Sequence, residues 1–282
     1  MLYELIWDGT RLVWENKILF VNWSGYEAKE QITTQPVANG DGSTFISGTV
    51  KERQIILNIR VFSEFEKDLV YRLFPLKQGQ KPLIYKRLDV DIPPKQIYAR
   101  VSEVNPPKSA LPYTIQIVLL AESPFWGTTE ESKNVLTGNE NAWEFDWEIP
   151  LDKSFEFSAT NDTSSKYFNN IGTVPTGFKC KITLSQAKKW ISIFNYTTNK
   201  TLRVNGDFVP DDMILFDTEH KTKGIYTKKI ADSEWTEITG QFEWGSEFFL
   251  LKAGRNRIFI DSDSGVEGIE STITFSPKFG GV

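Results

Sequence analysis

The stretch that decides the fold runs from Gly48 to Gly127, beginning Gly48-Thr-Val-Lys-Glu-Arg53 and ending Ser123-Pro-Phe-Trp-Gly127. Just inside it, residues 54–61 alternate between apolar and polar side chains. Alternation with a period of two is typical of a strand with one buried face. The pattern therefore predicts a strand here, with a buried face made of Ile55, Leu57, Ile59 and Val61.

A short helix is predicted directly after this strand. Ser63 stands three residues before Glu66, which is the spacing of a capping box: the serine accepts from the N–H of Glu66, and the glutamate reaches back to the N–H of Ser63. Pro75 ends the helix, because it lacks an N–H and restricts Phe74. Further strands, separated by proline pairs, are predicted at 83–86, 97–101 and 113–120. Together these elements predict a compact strand–helix–strand unit with no catalytic constellation.

Composition limits the class of protein. The 282 residues suit two domains or one large β domain. Aromatic residues make up 13% of them, which favours strands. The net charge of −5 argues against general nucleic-acid binding, which needs a basic surface. A single cysteine, Cys180, excludes an internal disulfide and a cysteine-based zinc site. We predict no membrane insertion, since no apolar run approaches about 20 residues, and no signal peptide at Met1–Glu4.

The rest of the chain predicts a second, β-rich domain. A polar stretch near residues 128–141 suggests a boundary, with one domain at 1–130 and another at 131–282. Many short strands with turns at regular spacing follow, which predicts a sandwich or jelly roll. One turn is predicted at Asn205-Gly206, and Cys180 is predicted to be a small buried side chain of a strand whose apolar face also holds Phe178, Ile182 and Leu184.

The segment from Gln35 to Ser47 is rich in Gly, Asn, Asp and Ser. That composition predicts a long, flexible loop. Its Gly40-x-Gly42 lacks the third glycine and the strand-to-helix context of a phosphate-binding loop. Long loops in compact domains are often binding elements. We therefore expect this segment to become ordered against a partner.

One segment suggests sugar chemistry. Glu144, Asp146 and Glu156 lie beside aromatic residues, and a pair of carboxylates about 5–9 Å apart performs acid–base work in glycosidases. Alternation in a strand, with aromatics on the core face and acids in solvent, explains the same residues. The second interpretation is favoured, so we predict no catalytic, cofactor-binding or metal-binding residue.

The order of motifs resembles the siphophage distal tail protein family. In the first half, the resemblance rests on Glu52-Arg53 opening a strand, on a short helix ending at Leu73-Phe74-Pro75, and on the closing segment 123–127. In the second half it rests on Asn170–Thr176, Asn195–Thr198, Asp211–Thr218, Leu251–Asn256 and Phe279–Val282.

This resemblance implies a fold class and a function. The fold would be mainly β, with a β-rich N-terminal domain containing one short α-helix and a C-terminal galectin-like jelly-roll sandwich. The protein would be a non-enzymatic virion protein of a phage tail tip or baseplate, made in the host bacterial cytoplasm. It would form a homo-hexameric ring that lets DNA pass without binding it specifically.

The resemblance also implies partners: the tail tube protein, the tail-associated hub protein, the tape measure protein and, through the C-terminal domain, a receptor-binding protein. An alternative, resting on the jelly-roll pattern and the nine tryptophans, is a carbohydrate-binding protein that attaches to the host cell wall. A glycosidase using Glu144, Asp146 or Glu156 ranks last.

Overall fold

A computed structural model describes residues 3–12, 19–38, 40–105, 112–140, 159–161 and 165–282 of the chain. It is mainly β with one short α-helix, which confirms the predicted fold class. The contacts divide the chain into two units. Unit 1 comprises Met1–Thr129 together with Lys278–Val282, and unit 2 comprises Glu130–Pro277.

Unit 1 is built mainly of antiparallel strands. Its elements are β1 Tyr3–Trp7, β2 Thr10–Arg11, β3 Leu19–Ser24, β4 Glu30–Pro36, β5 Ser43–Val50, β6 Arg53–Val61, α1 Glu64–Leu73, β7 Lys81–Arg87, β8 Lys95–Asn105, β9 Tyr113–Ala121, β10 Trp126–Thr128 and, at the end of the chain, β22 Lys278–Phe279. The main sheet has the order β2-β1-β7-β8-β9-β6-β3, with β10 and β22 joined beside β8. The long strand β8 carries both halves, because its first part pairs with β7 and its second part with β9.

The central strand β6 follows its sequence pattern. Ile55, Leu57, Ile59 and Val61 are fully buried, as predicted, in a core shared with β1, β7, β8 and β9. Burying one such aliphatic side chain stabilises a fold by about 1.5–3 kcal/mol. The β6 strand pairs with β9 over its whole length, so the deciding stretch forms the middle of unit 1.

The start of helix α1 differs in one detail from the predicted capping box. Ser63 is the N-cap and accepts from the backbone N–H of Glu66 at 3.2 Å, as expected. The Glu66 carboxylate reaches back one residue further than predicted, to the N–H of Phe62 at 2.7 Å. The helix ends at Leu73, two residues before Pro75, and the N–H of Phe74 closes the last turn on Val70.

The predicted loop from Gln35 to Ser47 is wrong at both ends. Strand β4 extends to Pro36 and β5 begins at Ser43, and the two pair antiparallel as a separate two-stranded sheet. Six residues, 37–42, lie between the two strands, in place of the thirteen predicted for the loop. We call this hairpin, residues 30–50, the arm.

The end of the chain differs from the predicted division. A C-terminal domain that ran to residue 282 would include residues 278–282, but these residues pack in unit 1. Strand β22 pairs with β10 through Trp126 opposite Phe279 and Gly127 opposite Lys278. Along the chain, unit 2 is therefore inserted between two neighbouring strands of unit 1.

Unit 2 is a β-sandwich. Its elements are β11 Ser132–Glu140, β12 Ala159–Asn161, β13 Ser165–Asn170, β14 Lys179–Leu184, β15 Lys188–Asn195, β16 Lys200–Phe208, β17 Asp212–Asp217, β18 Gly224–Lys229, β19 Thr236–Glu237, a 3-10 turn Thr239–Gln241, β20 Gly254–Ser262 and β21 Ile269–Phe275. One sheet has the order β12-β11-β21-β14-β17-β18-β19 and the other the order β13-β20-β15-β16.

The core of unit 2 confirms one sequence prediction and corrects another. Phe178, Cys180, Ile182 and Leu184 are buried together, as their alternation predicts. The turn expected at Asn205-Gly206 is wrong, because both residues lie inside β16. A Cβ at Gly206 would stand 2.9 Å from the ring of Phe208, so close packing of this ring explains the glycine.

Cys180 has no exposed surface, and burial raises the pKa of its thiol above the ordinary value. Only the thiolate reacts readily with disulfide reagents. We therefore expect no labelling of the native protein by an aromatic disulfide reagent at pH 8, and one equivalent per chain after unfolding in guanidinium. Fast labelling of the native protein would contradict the buried position.

The candidate acidic residues Glu144, Asp146 and Glu156 lie outside the described residues, as do their neighbouring aromatics. The glycosidase alternative therefore gains nothing from the structure. Among the residues that are described, no group of three or more His, Cys, Asp or Glu side chains is placed to hold a metal ion.

Candidate assembly interface

The arm is exposed along its length. Every residue of β4 and β5 is exposed except Val50, which is half-buried. The arm has two unlike faces, because side chains alternate along each strand. Thr34 pairs with Phe45, and Ile32 pairs with Gly48, which places Ile32 and Phe45 on one face. The opposite face carries the polar residues Gln31, Thr33, Gln35, Thr44, Ser47 and Thr49. Ile46, 55% exposed, lies at the register shift between the pairs Thr33–Ser47 and Thr34–Phe45.

The arm carries few charges. Of its 21 residues, Glu30 and Asp41 are charged, whereas charged residues make up 24% of the chain. The Glu30 side chain lies beside Gly48 at the base of the arm, on the face of Ile32. Natural proteins usually protect exposed strands with lysines or other charges, which discourage pairing with other chains. The centres of protein–protein interfaces, in contrast, are depleted of charge. The composition of the arm is that of an interface.

Within the described residues, nothing covers the apolar face of the arm. The side chains of Ile32 and Phe45 are 57% and 61% exposed. Seven residues of strand span about 24 Å at the usual rise of about 3.4 Å per residue. An isolated two-stranded hairpin is marginally stable at best in water. Such an arm gains stability when another surface covers its apolar face.

The base of the arm, in contrast, is fixed to unit 1. The guanidinium of Arg53 donates to the backbone oxygens of Tyr26 at 2.9 Å and Gly280 at 2.7 Å. The indole N–H of Trp126 donates to the same Tyr26 oxygen at 3.2 Å. The backbone N–H of Ala28 donates to the backbone oxygen of Gly280 at 2.6 Å. Arg53 thus joins the chain entering the arm to the returning end of the chain.

Arg53 carries a buried charge. It is 5% exposed, and desolvation lowers its pKa to about 10, so it remains protonated at neutral pH. None of the carboxylates in the described part of the chain lies within ion-pairing distance of it, and its Nε has no hydrogen-bond partner there. Buried charges are costly unless they are well bonded. The two carbonyls are therefore the groups that hold this side chain in place.

Replacing Arg53 by lysine should destabilise unit 1. Lysine keeps the charge, but one ammonium cannot reproduce the planar fork that reaches both carbonyls. We expect a loss of about 1–3 kcal/mol in the free energy of unfolding. Urea unfolding measures this loss of free energy, and hydrogen exchange at β6 reports on unit 1. Arg60→Lys is the control, since Arg60 lies in the same strand but is exposed; equal losses would show that the fork is unimportant.

The returning segment is held by further contacts. The Lys95 ammonium donates to the backbone oxygen of Gly281 at 3.1 Å and lies 4.3 Å from the ring centre of Phe279. Beside the arm's base is an open groove of about 720 Å³, lined by residues from 24–31 and 50–54 together with Ile56 and Pro124. Its lining includes charges of both signs, typical of the polar rim of an interface.

Two other segments of unit 1 expose apolar side chains. Phe62 and Phe65 flank the start of α1 and are exposed. Leu88, Val90 and Ile92, between β7 and β8, are exposed as well. The described part of unit 1 therefore carries more than one exposed apolar surface.

These features define a class of protein: a two-unit β protein whose N-terminal unit carries an exposed, sparsely charged, amphipathic arm on a base held by hydrogen bonds. Within the described residues, no helix is both long and apolar enough to cross a lipid bilayer.

Comparison with known proteins identifies the relatives. Residues 171–279 match the family model of the siphovirus-type tail component, C-terminal domain. The crystal structure of the phage SPP1 Dit protein, described as a paradigm of the hub adsorption apparatus in phages infecting Gram-positive bacteria, superposes with a TM-score of 0.70 at 14% identity, covering 99% of this chain and 100% of that chain. The resemblance to siphophage distal tail proteins is thus confirmed.

A second solved structure has a similar fold. A chain of the phage P2 baseplate in its activated conformation with Ca superposes with a TM-score of 0.51 at 12% identity, covering 100% of both chains. No curated protein sequence matches this chain significantly.

Proposed function

We propose that this protein is a structural hub subunit of a siphophage tail tip, and that its copies close into a ring through the arm. The observation that carries the proposal is the exposed apolar face of the arm. Support comes from the match of residues 171–279 to a siphovirus-type tail component and from the fold shared with SPP1 Dit.

The ring requires two different surfaces on each copy. A patch that binds an unlike patch on the next copy gives a head-to-tail contact, and such contacts close into rings when the rotation allows. The arm is one patch, and a different surface of the neighbouring copy is the other. The exposed segments around Phe65 and Val90 are surfaces that a neighbouring copy offers to the arm.

The role we propose is mechanical rather than catalytic. The hexamer would join the tail tube protein to the tail-associated hub protein, beside the tape measure, and unit 2 would carry a receptor-binding protein. The protein would then belong to the virion, at the tail tip or baseplate. The net charge of −5 suits a channel for DNA, because basic side chains facing the lumen would hold phosphates.

Electron microscopy of the purified protein, combined with native mass spectrometry, tests the proposal. We expect closed particles of one mass, six copies, with a central hole. The same measurement is then made after mixing with the tail tube protein. A protein that remains monomeric in both conditions, at concentrations up to about 100 μM, would contradict the proposal.

A further inference from the structure

A second surface lies on unit 2, on the outer face of the sheet β13-β20-β15-β16. Cross-strand pairs arrange its residues in three successive rows. The first row holds Ser192, Arg203 and Asp261, the second holds Phe194, Thr201, Phe259 and Ser165, and the third holds Arg257 and Tyr167. Their neighbours in sequence, among them Ile193, Leu202, Ile258 and Phe168, are buried in the core. The outer face therefore presents aromatic side chains and arginines together.

The exposed end of this face is an alternating stack, which we call the arginine–tyrosine cluster: Arg255, Tyr167, Arg257 and Tyr196. The Arg255 guanidinium lies 4.0 Å from the ring centre of Tyr167. Arg257 lies between the two rings, 5.9 Å from Tyr167 and 4.9 Å from Tyr196. The tyrosines are 54% and 50% exposed, so the stack borders solvent.

Neighbouring rings of the same sheet support the cluster. Tyr196 makes an edge contact with Phe194 at 4.7 Å and with Phe259 at 5.9 Å, measured between ring centres. The N–H of Tyr196 also donates to the backbone oxygen of Arg257 at 2.9 Å. The rings are thus fixed before any ligand binds, and pre-ordered side chains lose little entropy on binding.

Within the described residues, the two arginines of the cluster form few hydrogen bonds. Arg257 donates to Ser165 Oγ at 3.3 Å, and neither arginine forms an ion pair with a carboxylate in the part of the chain that the structure describes. Asp207 and Asp261 lie toward the opposite end of this face, as does Glu243, which accepts from Asn205 Nδ2. Glu247, at the edge of the sheet beside Thr201, pairs with Lys200 at 3.1 Å. A stacked guanidinium still presents a fork of N–H donors, which matches a carboxylate in two parallel bonds.

We propose that the arginine–tyrosine cluster is a docking site for an acidic, extended segment of a partner protein. Charge complementarity favours this ligand, because two guanidiniums that pair with no described carboxylate lie side by side on a chain with a net charge of −5. Tyrosine and arginine are also the residues enriched at binding hot spots. A neutral sugar would stack on the tyrosines but would leave both charges unused. The inference does not depend on ring formation.

Binding of an octaglutamate peptide to the full chain, measured at low salt, tests the site. We expect it to bind, and octaglutamine to bind at least about tenfold more weakly. Arg255→Glu with Arg257→Glu should weaken octaglutamate binding by about tenfold or more. The matched control is Lys181→Glu with Lys228→Glu, since both lysines lie on the other sheet and Lys228 also stacks on a ring, 5.2 Å from Trp235. It should change binding by less than about twofold.

A conservative double variant tests whether the affinity depends on the planar guanidinium groups or on their positive charge alone. Arg255→Lys with Arg257→Lys keeps both charges and should give an intermediate affinity, with thermal unfolding unchanged. The proposal is overturned by absence of octaglutamate binding, by equal effects of the cluster and control variants, or by a neutral oligosaccharide such as maltohexaose binding more tightly than the peptide. Assembly into rings, measured in parallel, should be the same in all variants.

Discussion

Ile32→Asp combined with Phe45→Asp should leave the protein folded and prevent its assembly. Both side chains lie on the apolar face of the arm and are more than half exposed in the single chain, so the fold does not depend on them. In an assembly, each apolar side chain that becomes buried contributes about 1.5–3 kcal/mol. Losing both, and adding two carboxylates, should weaken association by at least about 100-fold.

The opposite face of the arm supplies the control. Thr33→Asp with Thr44→Asp adds the same two charges to the polar face, and it should weaken association less than tenfold. Mass photometry across a dilution series gives the association constant, and circular dichroism gives the unfolding temperature. Equal assembly by the two variants would mean that the apolar face of the arm is not the contact.

Gly25→Ala should have the largest effect on stability. Gly25 has a φ of 80°, and a Cβ there would stand 2.0 Å from the backbone oxygen of Gln54. Since Gln54 belongs to the central strand β6, the clash cannot be relieved by turning a side chain. We expect a loss of about 3 kcal/mol or more in the free energy of unfolding.

Gly9→Ala is the matched comparison for Gly25→Ala. Gly9 also has a φ of 80°, but nothing lies within 4 Å of the position that a Cβ would take there. Only the left-handed backbone is then unfavourable, at about 1–2 kcal/mol. Urea unfolding, with hydrogen exchange at β6 to report on unit 1, gives both values. Equal losses would show that Gly25 matters for its backbone angle alone.

Local patterns in the sequence predict the centre of unit 1. The alternation around Leu57 and the cap at Ser63 are decided by residues only a few positions apart, and the structure has both. The placement of Phe178 and Cys180 on one buried face is predictable for the same reason.

The arm is hard to predict because its signal is weak. Its strands consist mainly of Thr, Gln, Ser and Gly, so the alternation of apolar and polar residues around Ile32 is short. The neighbouring Gly-rich sequence makes the ends of both strands resemble a loop. Asn205-Gly206 presents the opposite difficulty. The dipeptide favours a turn locally, yet Asn205 pairs with Trp190 of β15 and both residues of the dipeptide lie inside β16.

Long-range contacts are beyond prediction from one sequence. Nothing local in Phe279 indicates that β22 returns to β10, which lies about 150 residues earlier in the chain. The arginine–tyrosine cluster has the same origin, since the stacking of Arg255 on Tyr167 depends on the pairing of β13 with β20.

Photo-crosslinking from the arm tests most directly whether it makes the contact between subunits. With benzoylphenylalanine in place of Phe45, irradiation of the assembled protein should give a ladder of covalent oligomers ending at six copies, with the second attachment point in unit 1 of a neighbour. The same group in place of Lys181 should give none. Crosslinks confined to single chains at position 45, in preparations shown to be assembled, would contradict the proposal.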